Sequence, residues 1–180
     1  MPRTDLLPSP PSAGYIENTW AWVADHDIDA GQGTSAPQTN VTCQKGVEVS
    51  SSGPTWFMGV ASEHSAEYQF DVSGSQKLTM LEPQTETPYW QSPPTAWMIR
   101  AEKASDLLIM GAVGENWFHS EEYTLNTVSG CKGCHVFSMN TRSSKAAAAP
   151  PNATMMGGDH VIAAVNNTGF CSNYVYDEYA

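Results

Sequence analysis

Glu63 and Glu86 are two carboxylates in a chain of which only 15% is charged. Glu63 follows Ser62 and precedes His64. Glu86 lies in QTETPYW, near Met80, Pro83, Pro88, Tyr89 and Trp90. Two carboxyl groups flanking one bond are what hydrolysis of a glycosidic linkage requires. One is protonated and hands its proton to the leaving oxygen, and the other is ionised and activates water or attacks the sugar. A carboxyl among apolar groups, or beside a second carboxylate, has its pKa raised. On that ground Glu86 is the expected acid and Glu63 the expected ionised partner. Tyr89, Trp90 and Trp97 offer ring faces for sugar stacking, although Trp97 in TAWMIRAE alternates equally well into a core. With 19 acidic residues present, spacing alone does not separate this pair from two surface carboxylates.

A pair so spaced needs elements that bring its members together. From Tyr15 onward the chain reads as short apolar stretches broken by Ser, Gly and Pro. TWAWVA (19–24), GVEVSS (46–51), TWFMGV (55–60), AEYQFDV (66–72), KLTMLEP (77–83), TAWMIRAE (95–102), DLLIMGAV (106–113), HVFSMN (135–140) and HVIAAVN (160–166) have strand length and β-forming composition. No stretch predicts a helix of more than two turns. Trp56, Leu78 and Leu107 open comparable strands, and Val47 and Glu67 are spaced in the same way. A loose period in the twenties suits a parallel β-helix, and Glu63 and Glu86 lie about one such period apart. A β-sandwich is the rival, weakened by the lack of Asn-Gly or Asp-Gly hairpin turns, and pattern alone ranks the two equally. In a β-helix, residues one coil apart stack about 4.8 Å from each other, which would place Glu63 and Glu86 in one groove.

Composition narrows the partners. The net charge is −11 with eight Lys and Arg, which argues against nucleic acid. No run of 18 apolar residues predicts a membrane span. Gly and Pro make up 26 of the 180 residues, a loop-rich, β-leaning balance. Residues 1–15 are Pro- and Ser-rich and are expected to be a disordered lead-in, with one β-rich domain over 16–180. MPRTDLLPSPPSAGY lacks the apolar core of a secretory signal, yet Asn40-Val-Thr, Asn152-Ala-Thr and Asn166-Asn-Thr fit glycosylation acceptors. Cys43, Cys131, Cys134 and Cys171 permit three disulfide pairings. Cys131-Lys-Gly-Cys134 lacks the second half of a zinc site. Asp25-His26-Asp27 is not expected to share a metal, because neighbours alternate faces on a strand; turn hydrogen bonding is the expected role of its carboxylates. His64 either orients Glu63 or is simply half-buried. Trp117 and Phe118 either border a groove or pack. No GxSxG elbow points to a serine hydrolase.

ENTWAWVADHDID, GPTWFMGVASEHSAEYQF and PQTETPYW, followed by AWMIRAEKASDLLIMGA, resemble the glycoside hydrolase family 55 β-1,3-glucanases, in the family's order from about Glu17 to Ser120. The resemblance implies a right-handed, single-stranded parallel β-helix of the pectate-lyase-like type. It implies inverting, exo-acting hydrolysis of β-1,3-glucan or its oligosaccharides, outside the cell. It places the general acid on Glu86 and a water-holding role on Glu63. Tyr89 and Trp22 fall at sugar contacts, with Gln84 and His64 beside them as substrate-binding candidates. No metal or cofactor is implied.

Family members are several times longer, with two β-helical domains side by side, so this chain is expected to match part of the second and to need a companion β-helix domain. Gln44-Lys45-Gly46 stands where the family has a Gly-Arg-Gly type stretch, and Tyr89-Trp90 where it has Tyr-Tyr. Residues 142–155 have no clear counterpart. The alternative to an enzyme is a non-catalytic remnant that binds glucan or a partner, or a truncated product with no role of its own.

Overall fold

Each turn of the chain meets its predecessor in register, so the period is visible as a set of paired residues. The structure, a computed structural model, describes residues 12–30, 36–88, 96–116, 126–129, 131–143 and 174–177. The first coil holds β1 (Gly14–Glu17), β2 (Trp20–Trp22) and β3 (Lys45–Glu48). The second holds β4 (Thr55–Met58), β5 (Ala61–Glu63) and β6 (Tyr68–Asp71). The third holds β7 (Gln76–Leu81), β8 (Gln84–Glu86) and β9 (Trp97–Glu102). The fourth holds β10 (Ser105–Met110), β11 (Val113–Asn116) and β12 (Asn126–Ser129). β13 (Lys132–Ser143) runs through two faces of the next coil, and β14 (Tyr174–Asp177) pairs with it antiparallel.

Strands one coil apart pair in parallel, giving the orders β1-β4-β7-β10-β13, β2-β5-β8-β11-β13 and β3-β6-β9-β12. The chain is all-β with parallel sheets, a β-helix-like fold, and the described residues include no helix. The sandwich rival fails because sandwich sheets are antiparallel. The register matches Gly14 to Thr55, Thr55 to Leu78, Leu78 to Leu107 and Leu107 to Cys134. The coils after the first thus keep the period in the twenties that the sequence predicts, and the first is much longer. Val47 lies opposite Phe70, not Glu67.

Alternation along each strand sends one set of side chains inward, where they stack in columns. Phe57, Met80, Ile109 and Val136 form one column, and Leu78, Leu107 and Cys134 another. Phe70 and Ile99 stack from the third face. All are almost fully buried. At about 1.5–3 kcal/mol per large apolar side chain, these columns supply much of the drive to coil. Cys131 is buried beside them, its Sγ 3.1 Å from the Ala101 carbonyl oxygen, whereas Cys43 is exposed.

Corners between the first and second faces repeat one backbone device. Asn18, Gly59, Glu82, Gly111 and Ser138 each follow a first-face stretch with φ between 48° and 69°. A single left-handed residue turns the chain there, and Gly59 and Gly111 adopt it without the steric cost that other residues bear.

β1 begins at Gly14, inside the segment expected as lead-in. Residues 1–11, 142–155 beyond Ser143, HVIAAVN, Trp117, Phe118 and Cys171 lie outside the described residues.

Candidate functional site

The second face puts the candidate residues in two outward rows. Trp20, Ala61, Gln84 and Val113 lie in one, and Trp22, Glu63, Glu86 and Glu115 in the other. Between the rows Ser62, Thr85 and Gly114 point inward. Glu63 and Glu86 are therefore direct neighbours on adjacent coils, and Glu115 is the next rung. Gln84 is exposed on the same outward side as Glu86, at the other end of β8. Tyr89 and Trp90 lie outside the described residues.

The two glutamates have different surroundings. Glu63 is 6% exposed and its Oε2 accepts the Trp20 indole N–H at 2.8 Å. Burial pushes the Glu63 carboxyl above its ordinary value; Trp20 opposes this, Glu86 reinforces it, and His64 and Glu115 respectively oppose and reinforce it. The Glu86 side chain is 16% exposed and its Oε2 lies 3.3 Å from His64 Nε2. Apolar neighbours in the sequence point to Glu86 as the more desolvated carboxyl. Among the described residues the order is reversed: Glu63 is the more buried, with Trp22 opposite it in register and Trp20 bonded to it.

His64 is 1% exposed. Its Nδ1 is 2.8 Å from Asp25 Oδ1 and its Nε2 meets Glu86. Burial by itself would lower its pKa; Asp25 and then Glu86 outweigh that and push it up to about 9. The ring is thus an imidazolium that donates to two carboxylates. The Trp22 indole nitrogen lies 3.3 Å from the same Nδ1, but a protonated nitrogen cannot accept, so the shorter Asp25 bond is the real one. Both ring nitrogens of His64 lie within hydrogen-bond reach of a carboxylate. Its φ of 65° lies in the left-handed region. Thr87, one coil on, is not so placed, and a non-glycine residue held there costs about 1–3 kcal/mol.

Asp25 arrives from outside the repeat. The long connection between β2 and β3, of which 23–30 and 36–44 are described, makes an excursion that lengthens the first coil beyond the others. Val23 N–H donates to the Glu63 carbonyl, and Thr39 N–H to the Asp25 carbonyl. An isolated antiparallel bridge joins His26 to Gln38. The excursion seats Asp25, fully buried, and His26 Nδ1 2.8 Å from the same Asp25 oxygen. Burial would raise the Asp25 carboxyl, but His64 and His26 hold it below its ordinary value. Asp25, His26 and His64 place three donor atoms within 4.8 Å of one another. The alternation argument against a shared site does not apply, because Asp25 lies in no strand. The 2.8 Å contacts make the cluster a hydrogen-bonded acid–imidazole network. Asp27 instead accepts the Asp29 N–H at 2.9 Å, as a turn carboxylate does.

Trp20 and Trp22 stack at 5.2 Å and 24°, with Trp20 52% exposed. Trp22 meets His26 edge-on at 5.1 Å. The exposed Trp20 ring beside the paired carboxylates offers an aromatic face on which a sugar ring can stack. Sequence reasoning does not single out Trp20, Asp25 or Glu115 as site residues. Glu115 does carry a signal, because the spacing from Leu78 to Leu107 is repeated from Glu86 to Glu115.

Three curated proteins are similar over about half the chain. A protein of Penicillium expansum named non-secreted LysM effector LysM15 is 47% identical over 85 residues, 47% of this chain and 6% of that protein. A probable glucan endo-1,3-beta-glucosidase of Arthroderma benhamiae is 40% identical over 85 residues, 47% of this chain and 9% of that protein. A glucan 1,3-beta-glucosidase of Cochliobolus carbonum is 31% identical over 108 residues, 59% of this chain and 13% of that protein. The chain spans at most 13% of the length of these relatives. No protein-family model matches it. Two of the three bear glucanase names.

Proposed function

We propose that this chain carries the carboxylate face of a β-1,3-glucan hydrolase of the family 55 type, coiled in the right-handed sense that parallel crossovers adopt. The observation that carries the reading is the direct register of Glu63 and Glu86 beneath the Trp20–Trp22 stack. One carboxyl protonates the departing glycosidic oxygen and the other activates water. Inversion needs carboxyl groups about 6.5–9.5 Å apart, wider than one rung of about 4.8 Å. The partners of the two glutamates offset the carboxyls along the strand direction, which adds to the one-rung spacing. Glu63 is held by Trp20, which stands opposite Ala61, whereas Glu86 is held by His64, beyond the end of β5.

The resemblance gives the acid to Glu86, while the raised carboxyl of Glu63 favours the reverse. Glu63→Gln and Glu86→Gln, assayed on laminarin and on an aryl glucoside with an activated leaving group, separate the two. Loss of the acid spares the activated substrate, and loss of the base spares neither. Both variants are expected to lose laminarin turnover by at least about 100-fold. Unchanged glucose release from both would sink the assignment.

The relative named as an effector favours a second reading, in which the aromatic rim binds glucan without cleaving it. Laminarin binding by folded wild-type chain, with no sugar released at any pH, would select this reading.

A further inference from the structure

A ladder of glutamates on adjacent rungs tends to collapse into a shared-proton pair, since like charges so close cannot both ionise at ordinary cost. Here Glu63 and Glu86 each have an anchor, and the anchors lie in different directions. Trp20 comes from the coil before Glu63 and from the other outward row, so its indole N–H draws Oε2 of Glu63 back along the strand. His64, the residue after Glu63 on the same coil, draws Oε2 of Glu86 forward along the strand direction while reaching it from the coil before. His64 is itself fixed from behind by Asp25, which the excursion between β2 and β3 delivers. The left-handed backbone at His64 has no counterpart at Thr87 on the next coil.

We propose that Trp20 and the Asp25–His64 pair are positioning residues that offset the two carboxyls along the strand direction, Glu63 towards the start of its strand and Glu86 beyond the end of its own, and so open the one-rung spacing to water. This rests on the hydrolytic reading above. Trp20 also offers its outer face to solvent, so one side chain both anchors Glu63 and shapes the rim. Among the described residues, the groups facing Glu63 are Trp20 from β2, His64 from the corner after β5, Glu86 from β8 and Glu115 from β11. Of these, only Trp20 acts on Glu63 without a charge. Its removal therefore isolates the anchor.

The test is Trp20→Phe in the full chain, which keeps an aromatic ring against Trp22 and removes the N–H. Trp20 is half-exposed, so folding is not at stake. Carbon-detected titration of the glutamate carboxyls reads the anchor without any substrate. The Glu63 midpoint is expected to move up, since the lost N–H stabilised its ionised form. Glucose release from laminarin is expected to fall about 10- to 100-fold in kcat with KM little changed. His64→Gln is the companion variant and should likewise raise the Glu63 midpoint. A Glu63 midpoint that stays put in Trp20→Phe overturns the anchoring role whatever the activity. A wild-type chain that releases no sugar removes the hydrolytic reading instead, and the titration still decides whether Trp20 holds Glu63.

Discussion

The Asp25–His64–Glu86 chain should make stability fall steeply between pH 6.5 and about 9, and His64→Gln should remove that fall. The folded imidazolium titrates at about 9, against an ordinary value of 6.5. A group whose folded pKa is raised gives its full stabilisation below the unfolded value and loses it as pH rises through the folded value. The rise corresponds to about 3 kcal/mol. That is a large part of the roughly 5–15 kcal/mol that holds a domain together. Urea unfolding at pH 6 and at pH 10 reads it. With a slope of about 1–3 kcal/mol per molar, the wild-type midpoint should drop by about 1–3 M relative to the drop in His64→Gln. The two proteins share every other titratable group, so the difference belongs to His64. Equal pH slopes in the two proteins would refute the reasoning, since they would mean that the ring carries no extra proton in the folded state. Asp25→Asn should reproduce most of the loss of slope, because Asp25 is the leading cause of the raised value.

Packing yields two further predictions. Phe70, fully buried and stacked on Ile99, should cost about 3–5 kcal/mol when replaced by Ala, read as a lower urea midpoint at unchanged slope; a loss under about 1 kcal/mol would mean that the columns are not the core. Gly46→Ala would bring a Cβ to 2.5 Å from the Gln69 carbonyl oxygen and against Ser62 Oγ, which are hydrogen-bonded to each other at 2.6 Å. The expected cost is about 1–3 kcal/mol, and an unshifted thermal midpoint would contradict the close approach of β3 to this corner. The Glu63→Gln and Glu86→Gln losses of turnover, and the Trp20→Phe shift at Glu63, complete the set.

Much of the fold is legible because a coil is a repeat and repeats leave spacing. Glu63 and Glu86 are separated by the same stretch of chain as Thr55 and Leu78, so one spacing describes both the hydrophobic column and the carboxylate pair. The long first- and third-face strands announce themselves by alternation. The strands that carry the site do not. β5 and β8 are three residues each, too short to show a period, and they fall in the gaps between the stretches that the sequence marks as strands. The electrostatics are less legible still. Met80, Pro83 and Pro88 are near Glu86 in the chain, yet Glu63 is the buried carboxyl, because its cover comes from tryptophans of the preceding coil. Asp25 reads as a turn residue by composition, and nothing in DHDID indicates that an excursion will fold it onto the distant His64.

That excursion shows how a repeat can acquire chemistry without losing its register. Insertions are tolerated at the corners of a coiled sheet, where they extend outward and leave the stacked columns intact. The first coil is far longer than the second, yet Trp22 still meets Glu63 and Val47 still meets Phe70. The ladder supplies rigid carboxylates at fixed rungs; the inserted loop supplies the buried acid that charges His64. A site built this way divides its duties. Changes in the columns should alter stability and leave the Glu63 titration in place, whereas changes in the excursion should alter the charge at His64 and leave the pairing of the strands in place.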